Sequence, residues 1–160
     1  MLIRKTKPND QTEVLFLYEQ ARSYMHSHGN VTQWIGYPND KSLKEDMAKG
    51  MSYVVEDDSK AIVGTFALMK EPDPNYQEID GAWLSKGPYV TVHRIASSQK
   101  GVGTYIFKEL LKQYKDIRVD THKDNARMRA LLVKMGFSYC GVIKLITSDG
   151  SERLAYELVR

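Results

Sequence analysis

The sequence has one cysteine, five prolines and no long apolar run among its 160 residues. A single cysteine excludes an intramolecular disulfide framework, so a hydrophobic core must supply the stability and a reducing compartment suits the chain. We expect Cys140 to be part of that core. Because no stretch is apolar enough for a signal peptide or a membrane span, we expect a cytoplasmic protein with no membrane partner.

A strong charge of one sign is also missing. Lysine and arginine number 23 against 20 aspartates and glutamates, and the two signs are interspersed along the chain. A nucleic-acid-binding protein usually concentrates positive charge on one face, so we predict no nucleic-acid partner, and we predict no metal site. The length fits one domain, which we place at residues 1–160.

Segments of helical periodicity alternate with segments rich in β-branched and aromatic residues. The order β-α-α-β-β-β-α-β-α-β-β predicts an α/β (α+β mixed) fold, with a mixed central sheet and antiparallel flanks. Asp10-Gln11-Thr12-Glu13 has the spacing of a capping box that begins the first helix. The predicted strands cover residues 2–6, 51–56, 61–69, 89–96, 117–122, 137–147 and 153–158.

The most informative segment is 95–104, in which a strongly predicted strand runs into a glycine-containing turn that opens a helix. The first N–H groups of a helix and the positive end of its dipole favour an anion, and glycine lets a phosphate approach the backbone. Lys100 adds positive charge there. The segment matches neither a dinucleotide fingerprint nor a P-loop, so a different phosphorylated ligand is indicated.

Two motifs at this point resemble the GNAT superfamily of N-acetyltransferases. The segment 98–103, Ser-Gln-Lys-Gly-Val-Gly, resembles the family's Gln/Arg-x-x-Gly-x-Gly/Ala motif except at Ser98. The segment 124–137 is similar to the family's helix with the pattern N-x-x-[AM]-x-x-L-[YL]-x-x-x-G-F. The resemblance extends to the order of elements over essentially the whole chain.

The resemblance implies a GNAT-like fold in which the fourth and fifth predicted strands splay apart and acetyl-CoA lies between them as the acetyl donor. It also implies that Ile95 and Ala96 lie beside the thioester and that Asn125 reaches the pantetheine arm. The reaction implied is direct attack of a primary amine on the thioester, without an acyl-enzyme. The cofactor-binding residues predicted on this basis are Ile95, Ala96, Lys100, Gly101, Val102, Gly103, Thr104, Asn125 and Met128.

Proton removal from the amine requires a group with a suitable pKa, and His93 is the first candidate because it lies two residues before Ile95 on the same side of its strand. Glu78 is an alternative base, as are Asp80, Asp120 and His122. The family's usual acid, a tyrosine, is replaced by Leu132, so that role is left unassigned among solvent and the tyrosines at 89, 105 and 139.

Loop aromatics complete the predicted site. By resemblance, Trp34, Tyr37, Tyr76 and Trp83 border the acceptor pocket, where they could enclose an amine by cation–π contact, or they could fold onto the core. We expect the acceptor to be a small-molecule or protein amine and the chain to be a monomer or a homodimer. The alternative function is a non-catalytic acyl-CoA-binding sensor or partner-binding module, which the leucine at position 132 favours.

Overall fold

The computed structural model describes residues 1–160, which form eight strands and four α-helices. Two short 3-10 turns, Pro8–Asp10 and Pro74–Tyr76, lie between them. The elements in chain order are β1 (Leu2–Lys5), α1 (Gln11–Ser27), α2 (Asp40–Ala48), β2 (Ser52–Glu56), β3 (Ile62–Met69), β4 (Asp80–Gly81), β5 (Val90–Ser97), α3 (Val102–Gln113), β6 (Asp116–Thr121), α4 (Ala126–Met135), β7 (Ser138–Lys144) and β8 (Glu152–Val159).

The strands have the order β1-β2-β3-β5-β6-β8-β7-β4. Strands β5 and β6 run parallel, whereas β1–β2, β2–β3, β6–β8, β7–β8 and β4–β7 run antiparallel. The prediction of a mixed sheet with antiparallel flanks is therefore confirmed. The fourth and fifth strands predicted from the sequence are β5 and β6.

The residues divide into two compact units. The amino-terminal unit contains residues 1–68 and 94–106, and the carboxyl-terminal unit contains residues 69–93 and 107–160. The amino-terminal unit has a core of Val14, Leu17, Tyr18, Leu43, Val54 and Ala96. In the carboxyl-terminal unit, one cluster is formed by Tyr76, Ile143 and Ala155, and Phe107 meets Phe137 edge to face.

The parallel ladder of the carboxyl-terminal unit is short. It contains two pairs, Val90–Ile117 and Thr91–Arg118. Strand β6 nevertheless continues to Thr121 and remains paired with β8 along its whole length. Beyond Arg118, the edge of β6 that faces β5 is thus free of ladder hydrogen bonds, as expected for strands that splay apart.

Three sequence-based details are corrected. The Asp10 side chain does not cap α1, because it accepts hydrogen bonds from the Lys7 N–H at 2.7 Å and from the Arg4 guanidinium. Cys140 is half-buried at an irregularity of β7 and is not a core residue. Strand β4 was not predicted; it is two residues long and pairs with β7 through Gly81 and Gly141.

Glycine is required at both positions of that last pair. A Cβ on Gly81 would lie 2.1 Å from the carbonyl oxygen of Cys140, and one on Gly141 would lie 2.1 Å from that of Asp80. The two backbones therefore approach more closely than any side chain allows. None of the four helices combines the length and the apolar character needed to cross a bilayer.

Candidate active site

The turn that leads into α3, in the amino-terminal unit, has the geometry of an anion site. The first hydrogen bond of α3 runs from the Tyr105 N–H to the Gly101 carbonyl, at 2.9 Å. The N–H groups of Val102, Gly103 and Thr104 precede it and have no acceptor within the helix. Gly101 has φ +87°, and nothing lies within 4 Å of the position of a Cβ. With the exposed Lys100, these residues fit a diphosphate.

Strand β3 holds this turn in place. The Ser98 N–H donates to the Val63 carbonyl at 3.0 Å. Beside it, a Cβ on Gly64 would lie 2.5 Å from Cγ1 of Val102, so the first residue of α3 sits directly on the glycine. Ser98, which departs from the family motif, thus positions the turn through its backbone, and Gly64 lets the helix approach the sheet.

Arg94, also in the amino-terminal unit, adopts φ +54°, which is uncommon for a residue with a side chain. Its guanidinium forms two hydrogen bonds with the Asp46 carboxylate, at 2.7 and 2.8 Å, and contacts the Tyr37 hydroxyl. This bidentate pair fixes the backbone just before Ile95, which is half-buried, and Ala96, which is buried in the core.

His93 lies in the carboxyl-terminal unit beside a carboxylate. Its Nε2 is 2.8 Å from Oδ2 of Asp73, and its Nδ1 is 3.8 Å from Oδ1 of Asp120. The His93 side chain is 21% exposed, whereas that of Asp73 is 4% exposed. Burial alone raises the pKa of Asp73, but the hydrogen bond and charge of His93, together with hydrogen bonds from Asn75, lower it overall. Asp73 is therefore ionised at neutral pH.

Tyr76 contacts the same group of polar residues, His93 and Asp120. Its buried hydroxyl donates to Oδ1 of Asp120, and its ring centroid lies 6.3 Å from that of His93. Burial, followed by the charge of Asp120, raises the pKa of Tyr76 well above its usual value. Tyr76 therefore keeps its proton, and it is part of the buried core of the carboxyl-terminal unit.

Trp83 also has a partner within the chain. The Arg118 guanidinium stacks on it at 4.2 Å and on Tyr89 at 3.9 Å, and the indole N–H donates to the Tyr76 carbonyl at 3.0 Å. Arg118 is itself paired with the buried Glu157 at 2.9 Å. The cation–π contact predicted for a substrate amine at Trp83 is made here by Arg118.

The other predicted residues are more scattered. Trp34 packs edge to face on Tyr18, with ring centroids 6.0 Å apart, against the core of the amino-terminal unit. Glu78 and Asp80 are exposed. His122 accepts a hydrogen bond from the Asp124 N–H at 3.0 Å, and burial, more than any other influence, lowers its pKa.

Asn125 and Leu132 have structural roles in α4. The Asn125 side-chain oxygen accepts from the half-buried Met128 N–H at 3.1 Å, so Asn125 caps the helix. Leu132, at the position of the family's tyrosine, is fully buried. Of the tyrosines left open as acids, Tyr139 is 51% exposed, the Tyr89 hydroxyl accepts from the Asp73 N–H, and the Tyr105 hydroxyl donates to the Met1 carbonyl.

Sequence reasoning missed Asp73 as a partner of His93. The residue lies 20 positions earlier, in a proline-containing turn that the sequence marks only as a connection. The sequence does show an aspartate in a turn that precedes β5, the strand that contains His93. No periodic pattern, however, relates Asp73 to His93. No group of three or more histidine, cysteine or acidic residues is arranged to hold a metal ion.

Comparisons with known proteins place the chain among acetyltransferases. A solved GNAT-family acetyltransferase from Streptococcus agalactiae 2603 has 31% identity and a TM-score of 0.89, over 99% of this chain and 95% of that one. A GNAT-family acetyltransferase from Listeria monocytogenes 4b F2365 (20% identity, TM-score 0.69, 99% and 94% covered) and a ribosomal-protein-alanine N-acetyltransferase from Brucella melitensis (17%, 0.64, 100% of both) share the fold. No protein-family model matches the sequence, and no curated protein does.

Proposed function

Because the chain belongs to the GNAT family of acetyltransferases, we propose that it is an acetyl-CoA-dependent N-acetyltransferase acting on a primary amine. The acetyl group passes directly from the thioester to the amine, without an acyl-enzyme. The observation that carries the proposal is the turn before α3, where three helix N–H groups without an intrahelical acceptor follow Gly101 and Lys100.

Acetyl-CoA supplies an activated thioester when bound. The N–H groups of Val102, Gly103 and Thr104 and the charge of Lys100 bind its diphosphate in this proposal. A backbone N–H at Ile95 or Ala96 polarises the thioester carbonyl, since a preorganised donor is sufficient for that step. Asn125 and Met128 are assigned to the pantetheine arm by the resemblance.

His93 accepts the proton that the ammonium must lose before it attacks. The imidazole is half-buried and has a fixed carboxylate partner, which makes it better positioned than Glu78, whose side chain is exposed. His93 thus removes the proton, and the amine nitrogen is left with the electron pair it needs for attack.

A covalent route through Cys140 is disfavoured. Burial, followed by the charge of Glu157, raises the pKa of the Cys140 thiol, and the thiol donates to the Ser138 carbonyl at 3.4 Å. The thiolate is the nucleophilic form of cysteine, so a raised pKa lowers its population. The chemistry of the chain therefore favours direct transfer.

A second candidate function is a non-catalytic acyl-CoA-binding module. The observation in its favour is that Leu132, where the family has its acid, is fully buried and offers no proton. If the protein is an enzyme, solvent can protonate the CoA thiolate in place of this acid. The two functions are distinguished by whether the CoA thiol is released faster than by background hydrolysis.

The test combines binding and turnover. Calorimetry with acetyl-CoA and CoA measures binding, and a thiol-release assay with a panel of small amines and peptide amino termini measures transfer. We expect the wild-type protein to bind both ligands and to release thiol with at least one amine. Gly103→Glu, which puts a carboxylate at the proposed diphosphate site, should abolish binding while the circular dichroism spectrum is preserved.

His93→Gln should retain binding and lose about 10²–10⁴-fold in turnover, as expected for a missing base. His26→Gln, on the exposed last turn of α1, is the matched control and should behave like the wild type. Binding without thiol release for any amine would establish the non-catalytic module, and a folded protein that ignores acetyl-CoA would reject both functions.

A further inference from the structure

Asp73 is held from three sides in the turn that precedes β4. Its Oδ2 meets His93 Nε2 at 2.8 Å, its Oδ1 accepts from the Asn75 N–H at 2.9 Å, and its own N–H donates to the Tyr89 hydroxyl at 3.0 Å. A carboxylate tied in this way, with a side chain only 4% exposed, has little freedom to rotate. Its direction toward His93 is therefore fixed by the fold.

This contact determines which nitrogen of His93 carries the proton. The hydrogen bonds of Asp73 keep its carboxylate ionised, and an ionised carboxylate is an acceptor only. The Nε2 atom must then be the donor. In the neutral ring the lone pair consequently lies on Nδ1.

The surroundings of Nδ1 suit a proton acceptor. Oδ1 of Asp120, at 3.8 Å, is beyond hydrogen-bond distance and already accepts from the Tyr76 hydroxyl. No donor therefore occupies the Nδ1 lone pair. Once Nδ1 is protonated, the ring lies between the two carboxylates of Asp73 and Asp120, and Tyr76 remains neutral.

We infer that Asp73 is a positioning residue that holds His93 as the Nε2–H tautomer, so that Nδ1 is the basic atom of the acetyl transfer. The inference rests on the proposed function. An N–H bond of the ammonium breaks, the proton forms a bond with Nδ1, and the electron pair stays on the amine nitrogen. That pair then forms the N–C bond while the C–S pair leaves with sulfur. The nitrogen loses its second proton to solvent, and the thiolate takes a proton from solvent.

The test reads the tautomer directly. Protein labelled with ¹⁵N gives two-bond and three-bond ¹H–¹⁵N correlations for each of its four histidines, and His93→Gln assigns the His93 signals. At a pH where the ring is neutral, we expect Nε2 of the wild type to be protonated and Nδ1 to be free. A wild type with the opposite tautomer overturns the inference, whatever its activity.

Substitutions at Asp73 and Asp120 distinguish the effects of the two carboxylates on His93. Asp73→Asn can both donate to and accept from Nε2, so it should mix the tautomers and lower kcat by about 10²-fold or more while acetyl-CoA still binds with wild-type affinity. Asp120→Asn is the matched control, because it should retain the Nε2–H tautomer.

Asp73→Glu keeps the negative charge and should restore part of the Nε2–H population. If Asp73→Asn retains the wild-type tautomer and rate, the positioning role is overturned. If the wild type binds acetyl-CoA but acetylates no amine, the proposed function and the use of Nδ1 as a base fail together, and the tautomer of each variant still decides whether Asp73 orients His93.

Discussion

The buried environment of Asp116 predicts that the protein becomes less stable as the pH rises toward neutrality. Asp116 lies at the start of β6, is 6% exposed, and neither of its carboxylate oxygens has a hydrogen-bond partner. Burial, followed by the neighbouring carboxylate of Glu157, raises the pKa of Asp116 from 3.8 to about 7. Arg118 offsets only part of this, because its guanidinium is already paired with Glu157.

The direction in which the free energy of unfolding changes with pH follows from proton binding. Above about pH 4 the unfolded chain has lost the Asp116 proton, whereas the folded protein keeps it until about pH 7. The folded state therefore binds more protons over this range, and the free energy of unfolding must fall as the pH rises through it, levelling off above. The pKa difference corresponds to about 4 kcal/mol at about 1.4 kcal/mol per pKa unit. We expect about 2 kcal/mol, because Asp116 interacts with the neighbouring carboxylate of Glu157 and the two charges do not act independently.

Asp116→Asn removes the titration. Urea unfolding of variant and wild type is measured at several pH values between about 4.5 and 8. The difference between their free energies of unfolding isolates Asp116, because the contributions of other titrating groups cancel. The variant should gain about 2 kcal/mol relative to the wild type across this range. The exposed Glu71→Gln is the control and should give a flat difference. A flat difference for Asp116→Asn would refute the assignment of a buried neutral carboxyl.

Two further substitutions test the site. Gly64→Ala places a methyl 2.5 Å from Cγ1 of Val102 and should displace the first turn of α3, weakening acetyl-CoA binding by about tenfold, or about 1.4 kcal/mol, in calorimetry. An unchanged affinity would show that the turn does not depend on this contact. Trp83→Ala removes the ring under Arg118 and should lower the urea midpoint, with acetyl-CoA affinity unchanged; a wild-type midpoint would contradict the stacking role.

Local sequence signals were sufficient for most of the fold. Asn39 accepts from the Ser42 N–H at 3.0 Å and caps α2, and Gly136 ends α4 with φ +95°, which are the residue types that commonly begin and end helices. The β4–β7 pair was not predictable, because two residues show no alternation and the pairing depends on a second glycine 60 positions away.

The candidate site was predictable only where its residues are consecutive. The turn before α3 is a local feature, whereas the placement of His93 beside Ile95 stays a prediction, because Arg94 between them has φ +54° and interrupts the strand alternation. The hydrogen bond of His93 to Asp73 joins residues 20 positions apart in a turn and a strand, and the stacking of Arg118 on Trp83 joins residues 35 positions apart. Such contacts depend on how a connection folds over the sheet, which periodicity does not encode.

One face of the sheet in the carboxyl-terminal unit connects these observations. In the strand register, Thr91 of β5 is opposite Arg118 of β6, and Arg118 is opposite Glu157 of β8, so these three side chains share a face. Side chains two residues apart on a strand point the same way, so His93 and Asp120 lie on that face too. The connection before β5 is bound to this face at two places. Asp73 bonds His93, and Leu84 donates its N–H to Glu157 at 2.6 Å.

The polar residues of this face therefore have two connected roles. The Arg118–Glu157 pair is almost completely buried, and removing one member of such a pair leaves an uncompensated charge at a cost of about 3–5 kcal/mol. Since Arg118 also donates to the Ser85 carbonyl at 2.7 Å, loss of Arg118 removes one of the hydrogen bonds that hold the connection at the end opposite Asp73. A connection with fewer hydrogen bonds at that end would hold Asp73 less firmly against His93. The buried ion pair thus stabilises the unit and supports the orientation of the proposed base.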